Sequence, residues 1–433
     1  MKTLFIRMFM SVVLMMAATA GEKPNIILIL ADDLGMDGVG CYGSDKHRTP
    51  EIDKLAASGL RFENCLAAPL CGPSRCLLMT GRYAFRTGGI TNQSWRPKGP
   101  GAKSSDEHPM AALLKQAGYA TGMAGKWRQV GETPKAWGFD EYLTDRTAGG
   151  WYWQRNLMSD EGEVVLPEGS YAPDKVHQFA VNFLRRHKDQ PFFFYYSMHH
   201  VHAPILRTSD SAADAKAAEV LYEDNIRYMD KQVGAVVREL ESLGLREKTL
   251  LIFTGDNGTA LDFPSPLKGK MIDGRKGSML EGGSRVPFIA SWPGTTPKGL
   301  VSKDLVSFAD PHATFVELAG AKLPENFTFD GRSFAPQLRG EKGHPREWAF
   351  VQLGKRWFVR SEGFKLDENG GLFDMSGAPY SQKLIEPDAD SEASKAARRS
   401  LAAVLAKLNP AAGKTDPNGG NAARLKRKKA ATR

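Results

Sequence analysis

Continuous apolar segments recur along this chain, and amphipathic segments separate them. Three of the apolar segments are "NIILILADD" (25–33), "PFFFYYSMHH" (191–200) and "KTLLIFTGDNG" (248–258). Segments of this length without polar alternation predict strands that are buried on both faces. Such strands are typical of a mainly parallel sheet with helices on both sides, so we predict an α/β fold.

Helical periodicity occupies the intervals between these strands. The predicted helices are 49–59, with Thr49 as its cap and Gly59 as its end, 108–118, 172–187 and a long helix from about 212 to 243. "YATGMAGK" and "VPFIASW" continue the series of strands. No internal repeat is visible.

After about residue 346 the pattern changes to short strands with glycine-containing turns. These strands are "AFVQLG", "RWFVRS", "FKLDE" and "GLFDM", and one helix follows near 389–408. Hairpin spacing predicts a small antiparallel subdomain over 346–410, attached to a main domain over 21–345.

The N-terminus is typical of a signal peptide over residues 1–20. Lys2 and Arg7 precede a short apolar run, and small residues follow at Ala18–Ala20. We therefore expect export to a periplasmic or extracellular location. No later segment is apolar over the length of a bilayer, so we expect no transmembrane segment.

The net charge of +9 is concentrated at the two ends of the chain. The last twenty residues hold seven basic residues against one aspartate, and the signal peptide holds two more, which leaves about +1 for the rest. This distribution gives no reason to expect nucleic acid as a partner. Residues 411–433 are predicted to be a disordered basic tail, and contact with an acidic polymer or a membrane surface is the alternative.

Polar residues follow several predicted strands at the edge where parallel sheets place their sites. Asp32 and Asp33 end the first strand, Asp256 and Asn257 end another, and three histidines within 199–202 end a third. Oxygen donors without a Cys/His cluster suit a hard cation, Ca²⁺ or Mg²⁺. The alternative is that these residues are only turn formers.

The stretch "PLCGPSRCLLMTG" (69–81) places a cysteine at the predicted start of a helix. Pro73 suits a first helical turn, so Cys71 lies where unpaired amides favour an anion, and a thiolate is expected. Arg75, one turn later, adds positive charge. A buried structural cysteine is the alternative. All four cysteines fall within residues 41–76, which excludes a chain-wide disulfide framework and leaves one local bridge open.

These segments together resemble the formylglycine-dependent (type I) sulfatases of the alkaline-phosphatase-like superfamily. The motifs that carry the resemblance, in chain order, are "ILADDLG", "PLCGPSRCLLMTG", "GYATGMAGKW", "VHAP", "TGDNG" and "GRKGSMLEGGSRVPFIASWPG". The resemblance covers about residues 24–375. It implies an alkaline-phosphatase-like fold with a small C-terminal subdomain.

The resemblance also implies a mechanism. A separate maturation enzyme would oxidise Cys71 to formylglycine, whose hydrate is the nucleophile. Asp32, Asp33, Asp256 and Asn257 resemble the calcium ligands, and residue 71 completes the site. Arg75 would hold the hydrate, Lys126 and Lys276 would grip sulfate oxygens, and His202 would protonate the departing alcohol oxygen.

One position departs from the family pattern. The second signature normally continues Gly-Lys-Trp-His, whereas Arg128 replaces the histidine here. That histidine is usually the base in sulfate release, and arginine cannot take this role. His199 or His200 would then supply the base, or turnover is slow, or the protein only binds its ligand.

The sequence leaves the substrate open between a sulfated carbohydrate and another small sulfate ester. Trp151, Tyr152 and Trp153 would either face a sugar ring or anchor a loop. A phosphodiester or phosphonate hydrolase of the same superfamily is the alternative activity, and a non-catalytic carbohydrate-binding protein is the third hypothesis.

Overall fold

The first apolar segment forms the centre of the main sheet. Strand β1 (Asn25–Ala31) is buried throughout and pairs in parallel with β7 (Phe192–Ser197) on one side and β8 (Thr249–Gly255) on the other. Alternate side chains enter two separate cores: Ile26, Leu28 and Leu30 pack on one face, and Ile27, Ile29 and Ala31 on the other. Burial on both faces explains why this strand shows no polar alternation.

The computed structural model describes residues 23–95, 99–127, 132–145, 152–260 and 262–415. The predicted signal peptide, Arg128, Trp151 and residues 416–433 of the basic tail lie outside the described residues. Among the residues described, no helix has the length and apolarity needed to cross a membrane.

Ten strands of the described chain form the main sheet, in the spatial order β12-β2-β11-β8-β1-β7-β3-β4-β5-β6. Besides β1, β7 and β8, its strands are β2 (Leu60–Leu66), β3 (Ala120–Gly125), β4 (Glu141–Asp145), β5 (Asn156–Ser159), β6 (Gly162–Val165), β11 (Arg285–Ser291) and β12 (Leu300–Ser307). A short hairpin, β9 (Pro266–Leu267) and β10 (Lys270–Met271), lies apart from the main sheet.

Helices cover both faces of this sheet, as the sequence predicts. One face packs against α2 (Cys71–Thr80), α4 (Met110–Gln116), α8 (Asp310–Leu318) and α9 (Ala335–Leu338). The other packs against α1 (Pro50–Ala57), α5 (Ala172–Arg186) and α6 (Ala218–Ser242). Two short helices, α3 (Ala84–Thr87) and α7 (Glu281–Ser284), lie in connections. The α/β architecture is therefore confirmed.

Three local predictions differ from the structure. The strand "VPFIASW" does not extend the parallel series, because β11 runs antiparallel to both β2 and β8. Helix α6 begins at Ala218 instead of about 212, three residues before its first buried residue, Leu221, and residues 212–217 are mostly exposed. Thr49 directly precedes α1, as predicted, but its side chain does not cap the helix. Its hydroxyl instead accepts a hydrogen bond from Gly40 N and donates one to Asp53.

The C-terminal region folds as predicted into a small antiparallel sheet with one helix. In the described part of the chain its five strands are β13 (Ala349–Leu353), β14 (Arg356–Arg360), β15 (Phe364–Asp367), β16 (Leu372–Asp374) and β17 (Lys383–Ile385), and α10 (Glu392–Leu408) packs against it. The domain boundaries stay a prediction. All four cysteines are unpaired, so no local disulfide is present.

A buried charge cluster joins the C-terminal sheet to the main sheet. Arg360 of β14 donates through Nε to Glu281 Oε1 at 2.9 Å, and Arg285 of β11 donates to Glu281 Oε2 at 3.2 Å. All three side chains are at most 9% exposed. Burial alone would raise the pKa of Glu281, but the charges of the two arginines hold it below its usual value.

We predict that Glu281→Gln lowers the free energy of unfolding at pH 7 by about 3–5 kcal/mol, because it leaves two arginines buried without a counter-charge. A carboxyl whose pKa is lowered by folding stabilises the protein above its unfolded pKa of about 4.3 and loses that effect as the pH falls through its folded pKa. The deficit should therefore shrink in acid. Denaturant unfolding of both proteins at neutral and acidic pH measures it.

The matched control is Glu341→Gln, which removes an exposed pair with Arg339 and should change stability far less. A deficit for Glu281→Gln that is the same at neutral and acidic pH would contradict the electrostatic explanation.

Candidate active site

Two neighbouring parallel strands bring the predicted acidic residues together. Because Ala31 of β1 pairs with Gly255 of β8, the residues that follow each strand lie side by side at one edge of the sheet. Asp32, Asp33, Asp256 and Asn257 are all at most 1% exposed. The charges of the three aspartates are therefore withdrawn from water and need partners inside the protein.

The backbone turns sharply at the second of these aspartates. Asp33 has a φ of 62°, in the left-handed region that few residues other than glycine occupy. Its N–H donates to Asp256 Oδ1 at 3.0 Å, and Asn257 Nδ2 donates to Asp33 Oδ1 at 3.0 Å. Strained backbone of this kind is common at functional sites, where surrounding contacts maintain it.

Arg75 connects the helix that begins at Cys71 to three strand ends. The guanidinium is fully buried, and its Nε and Nη2 lie 2.9 and 2.8 Å from Asp256 Oδ2. Its Nη1 donates to Ser197 Oγ at the end of β7 and to Lys126 O, 3.3 Å away, just after β3. Arg75 therefore contacts the carboxylates directly, in the position that the sequence predicts for a residue of the site.

The two predicted lysines each pair with one of the first two aspartates. Lys126 Nζ donates to Asp32 Oδ2, and Lys276 Nζ lies 2.6 Å from Asp33 Oδ2. Burial would lower the pKa of both lysines, but the neighbouring negative charges raise it. Burial would raise the pKa of Asp32, but the charges of Lys126 and the other nearby cations hold this pKa well below its usual value. The cluster is therefore a set of charged pairs.

The thiol of Cys71 lies against this cluster. It is the first residue of α2 and 4% exposed, and its Sγ is 3.8 Å from Asp33 Oδ1. Burial raises its pKa to about 12, and the lysine charges do not offset this. The expectation of a thiolate stabilised by the helix terminus is therefore wrong for the unmodified residue, because desolvation and the nearby carboxylates outweigh the favourable end of the helix.

His202 completes the group of side chains around Asp33. Its Nε2 is 3.7 Å from Asp33 Oδ2, and its Nδ1 contacts Ala203 O. A carbonyl oxygen only accepts hydrogen bonds, so Nδ1 carries a proton and Nε2 is the nitrogen directed toward the site. Burial lowers the pKa of His202 to about 4.

The other two histidines have different surroundings. His200 Nε2 is 2.9 Å from Tyr171 Oη, its ring packs against Tyr152 and Tyr228, and burial lowers its pKa to about 3. His200 therefore belongs to a buried aromatic cluster. His199 Nε2 instead lies 3.5 Å from Asp145 Oδ1.

The arrangement contains features of a cation site. Ligand atoms of Asp32, Asp33, Cys71 and His202 all lie within 4.8 Å of one another. Two buried acceptor oxygens, Asp32 Oδ1 and Asn257 Oδ1, have no hydrogen-bond donor among the residues that the structure describes. Buried oxygens without donors fit a bound hard cation. Asp256 lies in the same cluster but directs its oxygens to Arg75 and to Asp33 N, and burial together with Asp32 raises its pKa to about 7.

The sequence motifs did not identify two further polar residues of this edge. Ser197, the last residue of β7, holds Arg75, and Asp145, the last residue of β4, accepts from Trp127 N at 3.3 Å and faces His199. Both are terminal residues of strands that end at this edge, and strand-end position was the signal that could have found them.

A mixed sheet between helices with charged residues at its strand ends defines an alkaline-phosphatase-like hydrolase fold. A family model described as Sulfatase matches residues 24–321. Arylsulfatase D from Homo sapiens is 32% identical over 441 residues, covering 79% of this chain and 74% of the relative. Arylsulfatase A from Homo sapiens is 35% identical over 377 residues, covering 78% and 73%.

Solved structures agree with these relatives. The crystal structure of Ps i-CgsB in complex with k-i-k-neocarrahexaose matches with a TM-score of 0.78 and 30% identity, covering 89% of this chain and 93% of that chain. The chain belongs to the sulfatase family and is a sulfuric ester hydrolase.

We predict that Arg75→Lys lowers kcat/KM for an aryl sulfate by at least about a hundredfold, the usual effect of removing one well-placed donor from an active site. An ammonium group cannot contact Asp256 and Ser197 at once, as the planar guanidinium does. Initial rates of sulfate release measure this, with circular dichroism to verify folding.

Arg86→Lys is the matched control, since Arg86 also pairs with an aspartate, its Nε donating to both carboxylate oxygens of Asp330 outside the cluster. It should leave turnover close to that of the wild type. Undiminished activity of a folded Arg75→Lys variant would mean that the contacts of Arg75 serve only stability.

Proposed function

We propose that this protein hydrolyses sulfate esters of carbohydrates, with a formylglycine hydrate at position 71 as the nucleophile. The observation that carries the proposal is the location of Cys71, 3.8 Å from Asp33 and within a cluster whose two lysines are oriented by carboxylates. The family assignment supports sulfate as the group that is transferred.

Oxidation of Cys71 would replace its CH₂SH group by an aldehyde, and a separate maturation enzyme would supply the oxidising equivalents. The thiol is protonated and nearly inaccessible in the fold, so it is a poor nucleophile as it stands. Addition of water to the aldehyde gives two hydroxyl groups on one carbon, which neither cysteine nor serine can offer.

The reaction then follows from the surrounding side chains. One hydroxyl of the hydrate loses its proton and its oxygen bonds to sulfur while the bond from sulfur to the alcohol oxygen breaks. His202, protonated at Nε2 for this step, gives the alcohol oxygen a proton, and the proton lost by the hydroxyl replaces it. Lys126 and Lys276 hold the sulfate oxygens with ammonium donors, and Arg75 holds the hydrate. The second hydroxyl next loses its proton, the carbonyl reforms, and the bond to sulfate breaks, which restores the aldehyde.

We propose that calcium binds beside residue 71, held by Asp32, Asp33, Asp256 and Asn257. The two buried oxygens without donors support this, as does the hard, all-oxygen character of these four residues. When bound, calcium would lower the pKa of a neighbouring hydroxyl and polarise the sulfate. Asp256 would have to share its oxygens between the cation and Arg75.

Sulfate release needs a base, and Arg128 cannot act as one because arginine stays protonated. His199 is the better candidate of the two histidines considered, because it pairs with Asp145 beside Trp127, whereas His200 is enclosed by tyrosines. A carboxylate beside a histidine orients its ring. We propose His199 for this role.

We propose a sulfated carbohydrate as the substrate, in preference to another small sulfate ester. Ps i-CgsB, 30% identical to this chain, was crystallised with k-i-k-neocarrahexaose. Export through the predicted signal peptide, residues 1–20, would bring the protein into contact with extracellular polysaccharides.

We predict that expression with a maturation enzyme converts Cys71 to the aldehyde, and that Cys71→Ser and Cys71→Ala both abolish sulfate release while keeping the fold. Serine has a similar shape but cannot form two hydroxyls on one carbon. Intact mass of the peptide that contains residue 71 shows the conversion, and ion chromatography of released sulfate gives the rate.

The control is Cys65→Ala, which removes another buried thiol, in β2, and should retain both the conversion and the activity. An active Cys71→Ser variant would exclude the formylglycine mechanism. Sulfate and phosphate esters of one alcohol should be compared on the matured protein, and preference for the phosphate would favour the phosphoester hydrolase instead.

We predict that calcium raises the stability of the matured protein and that Asp256→Ala loses this effect together with activity. An ion at a hundred times its dissociation constant stabilises the folded state by about 2.7 kcal/mol. Unfolding with added calcium, added magnesium or a chelator measures the binding without reference to catalysis.

Asp106→Ala, at an exposed aspartate, is the matched control and should respond to calcium as the wild type does. Equal stability with calcium and with chelator would rule out the site.

A further inference from the structure

A pocket of about 410 Å³ lies beside the segment that follows His202, and the sulfate-transfer chemistry makes no use of it. Its lining within the described residues consists of Trp153, Leu206, Arg207, Ala215, Lys216 and Leu221. This volume falls in the range of about 300–1,000 Å³ that is usual for small-molecule sites.

Trp153 combines a fixed position with an exposed ring. Its indole Nε1 donates to Arg207 O at 2.9 Å, and its ring centroid is 4.9 Å from that of Tyr171. Even so, 39% of the residue is exposed. Trp153 is therefore both an anchor for its loop and a preset aromatic surface, and a fixed surface loses little conformational entropy when a ligand packs on it.

Two cations accompany this aromatic surface. Arg207 and Lys216 are both exposed, and neither forms an ion pair with a carboxylate in the part of the chain that the structure describes. Arg207 Nη1 donates to Ala213 O at 2.9 Å, and the guanidinium has further N–H groups that can donate to a ligand. An aromatic face beside two cations is complementary to a sugar ring that carries an anionic group.

Two adjacent residues of one loop, Tyr152 and Trp153, connect the pocket to the proposed active site. Tyr152 is fully buried and its hydroxyl donates to His199 O at 3.0 Å and to His202 O at 2.8 Å. The next residue, Trp153, bonds to Arg207 O, so the two aromatic residues hold both ends of the segment that contains His202. Four residues separate His202 from Arg207, and the five Cα-to-Cα steps between them limit their Cα atoms to about 18 Å apart.

We propose that this pocket binds a second, anionic sugar unit of an oligosaccharide whose sulfate ester is cleaved at residue 71. This inference rests on the proposed sulfatase function and adds a requirement to it: the preferred substrate has several sugar rings, and at least one beyond the cleaved unit is anionic. The pocket then contributes to selection among sulfate esters, while a small aryl sulfate bypasses it.

The test compares sulfated hexasaccharides with a small aryl sulfate on the full, matured chain. The probes are k-i-k-neocarrahexaose, a chondroitin sulfate hexasaccharide and a heparin hexasaccharide, and the best of them is used for the variants. Trp153→Ala should lower the ratio of kcat/KM for the hexasaccharide to kcat/KM for the aryl sulfate by about three- to tenfold, the range for one aromatic contact. Lys216→Ala should lower the same ratio at low salt, and added salt should reduce the difference.

Lys216→Ala is not expected to cause misfolding, since Lys216 is exposed and forms no hydrogen bond or ion pair through its side chain with any residue that the structure describes. The matched control is Lys395→Ala, at an exposed lysine of α10, which should leave the ratio unchanged. Unchanged ratios in both pocket variants overturn the proposal. A parallel loss on both substrates for Trp153→Ala, with a normal Lys216→Ala protein, also overturns it, because Trp153 then acts only as the anchor of the His202 segment.

Binding separates failure of this proposal from failure of the proposed function. Isothermal titration of the same three hexasaccharides into Cys71→Ala protein needs no turnover. If matured wild-type protein releases no sulfate from any substrate, the sulfatase mechanism fails, yet hexasaccharide binding that weakens in a Cys71→Ala/Trp153→Ala protein still supports the pocket. Absence of binding by all three hexasaccharides overturns the pocket whatever the activity.

Discussion

The contact of Arg75 with Asp256 is the interaction on which the rest of the site depends. Two acidic strand ends, after β1 and β8, meet where no water can solvate them, and such an edge is stable only if positive charge is buried with it. Arg75 meets this need from inside α2, and through Ser197 and Lys126 O it also fixes the ends of β7 and β3. The position of Cys71, one helical turn before Arg75, follows from this anchoring.

The cluster is balanced in charge by count: the carboxylates of Asp32, Asp33 and Asp256 face the cations of Arg75, Lys126 and Lys276. Such a balance allows the unmodified, metal-free chain to fold without a large electrostatic penalty. A divalent cation would then leave the site with a net positive charge, which favours an anionic sulfate ester. Folding and binding thus make different demands on the same six residues, and the proposed cation would reconcile them.

The sequence predicts the sheet and most of the site because burial and strand-end position are encoded locally. The continuous apolar residues of β1 and β8 identify buried strands, and the acidic residues directly after them lie at one edge for any parallel pairing. The antiparallel direction of β11 depends on a partner strand distant in the chain, β2. For the same reason, the sequence could not separate His199 from His200: the tyrosines that enclose His200 belong to the 152, 171 and 228 regions.

The C-terminal sheet affects the site indirectly. In the described part of the chain its residues contact none of the acidic strand ends, but they hold the segment that carries Lys276. The segment that carries Lys276 is held on one side by Thr259 O and Pro69 O, which accept from Lys276 N and Gly277 N. On the other side, Lys365 donates to Met279 O at 3.1 Å and Arg360 binds Glu281. The strand ends of β1 and β8 lie inside the main core, whereas the Lys276 segment lies between the two sheets. Loosening of the junction would therefore displace Lys276 before it disturbs the carboxylates, so the proposed contact of Lys276 with sulfate would depend on the C-terminal sheet more than the integrity of the charged cluster does.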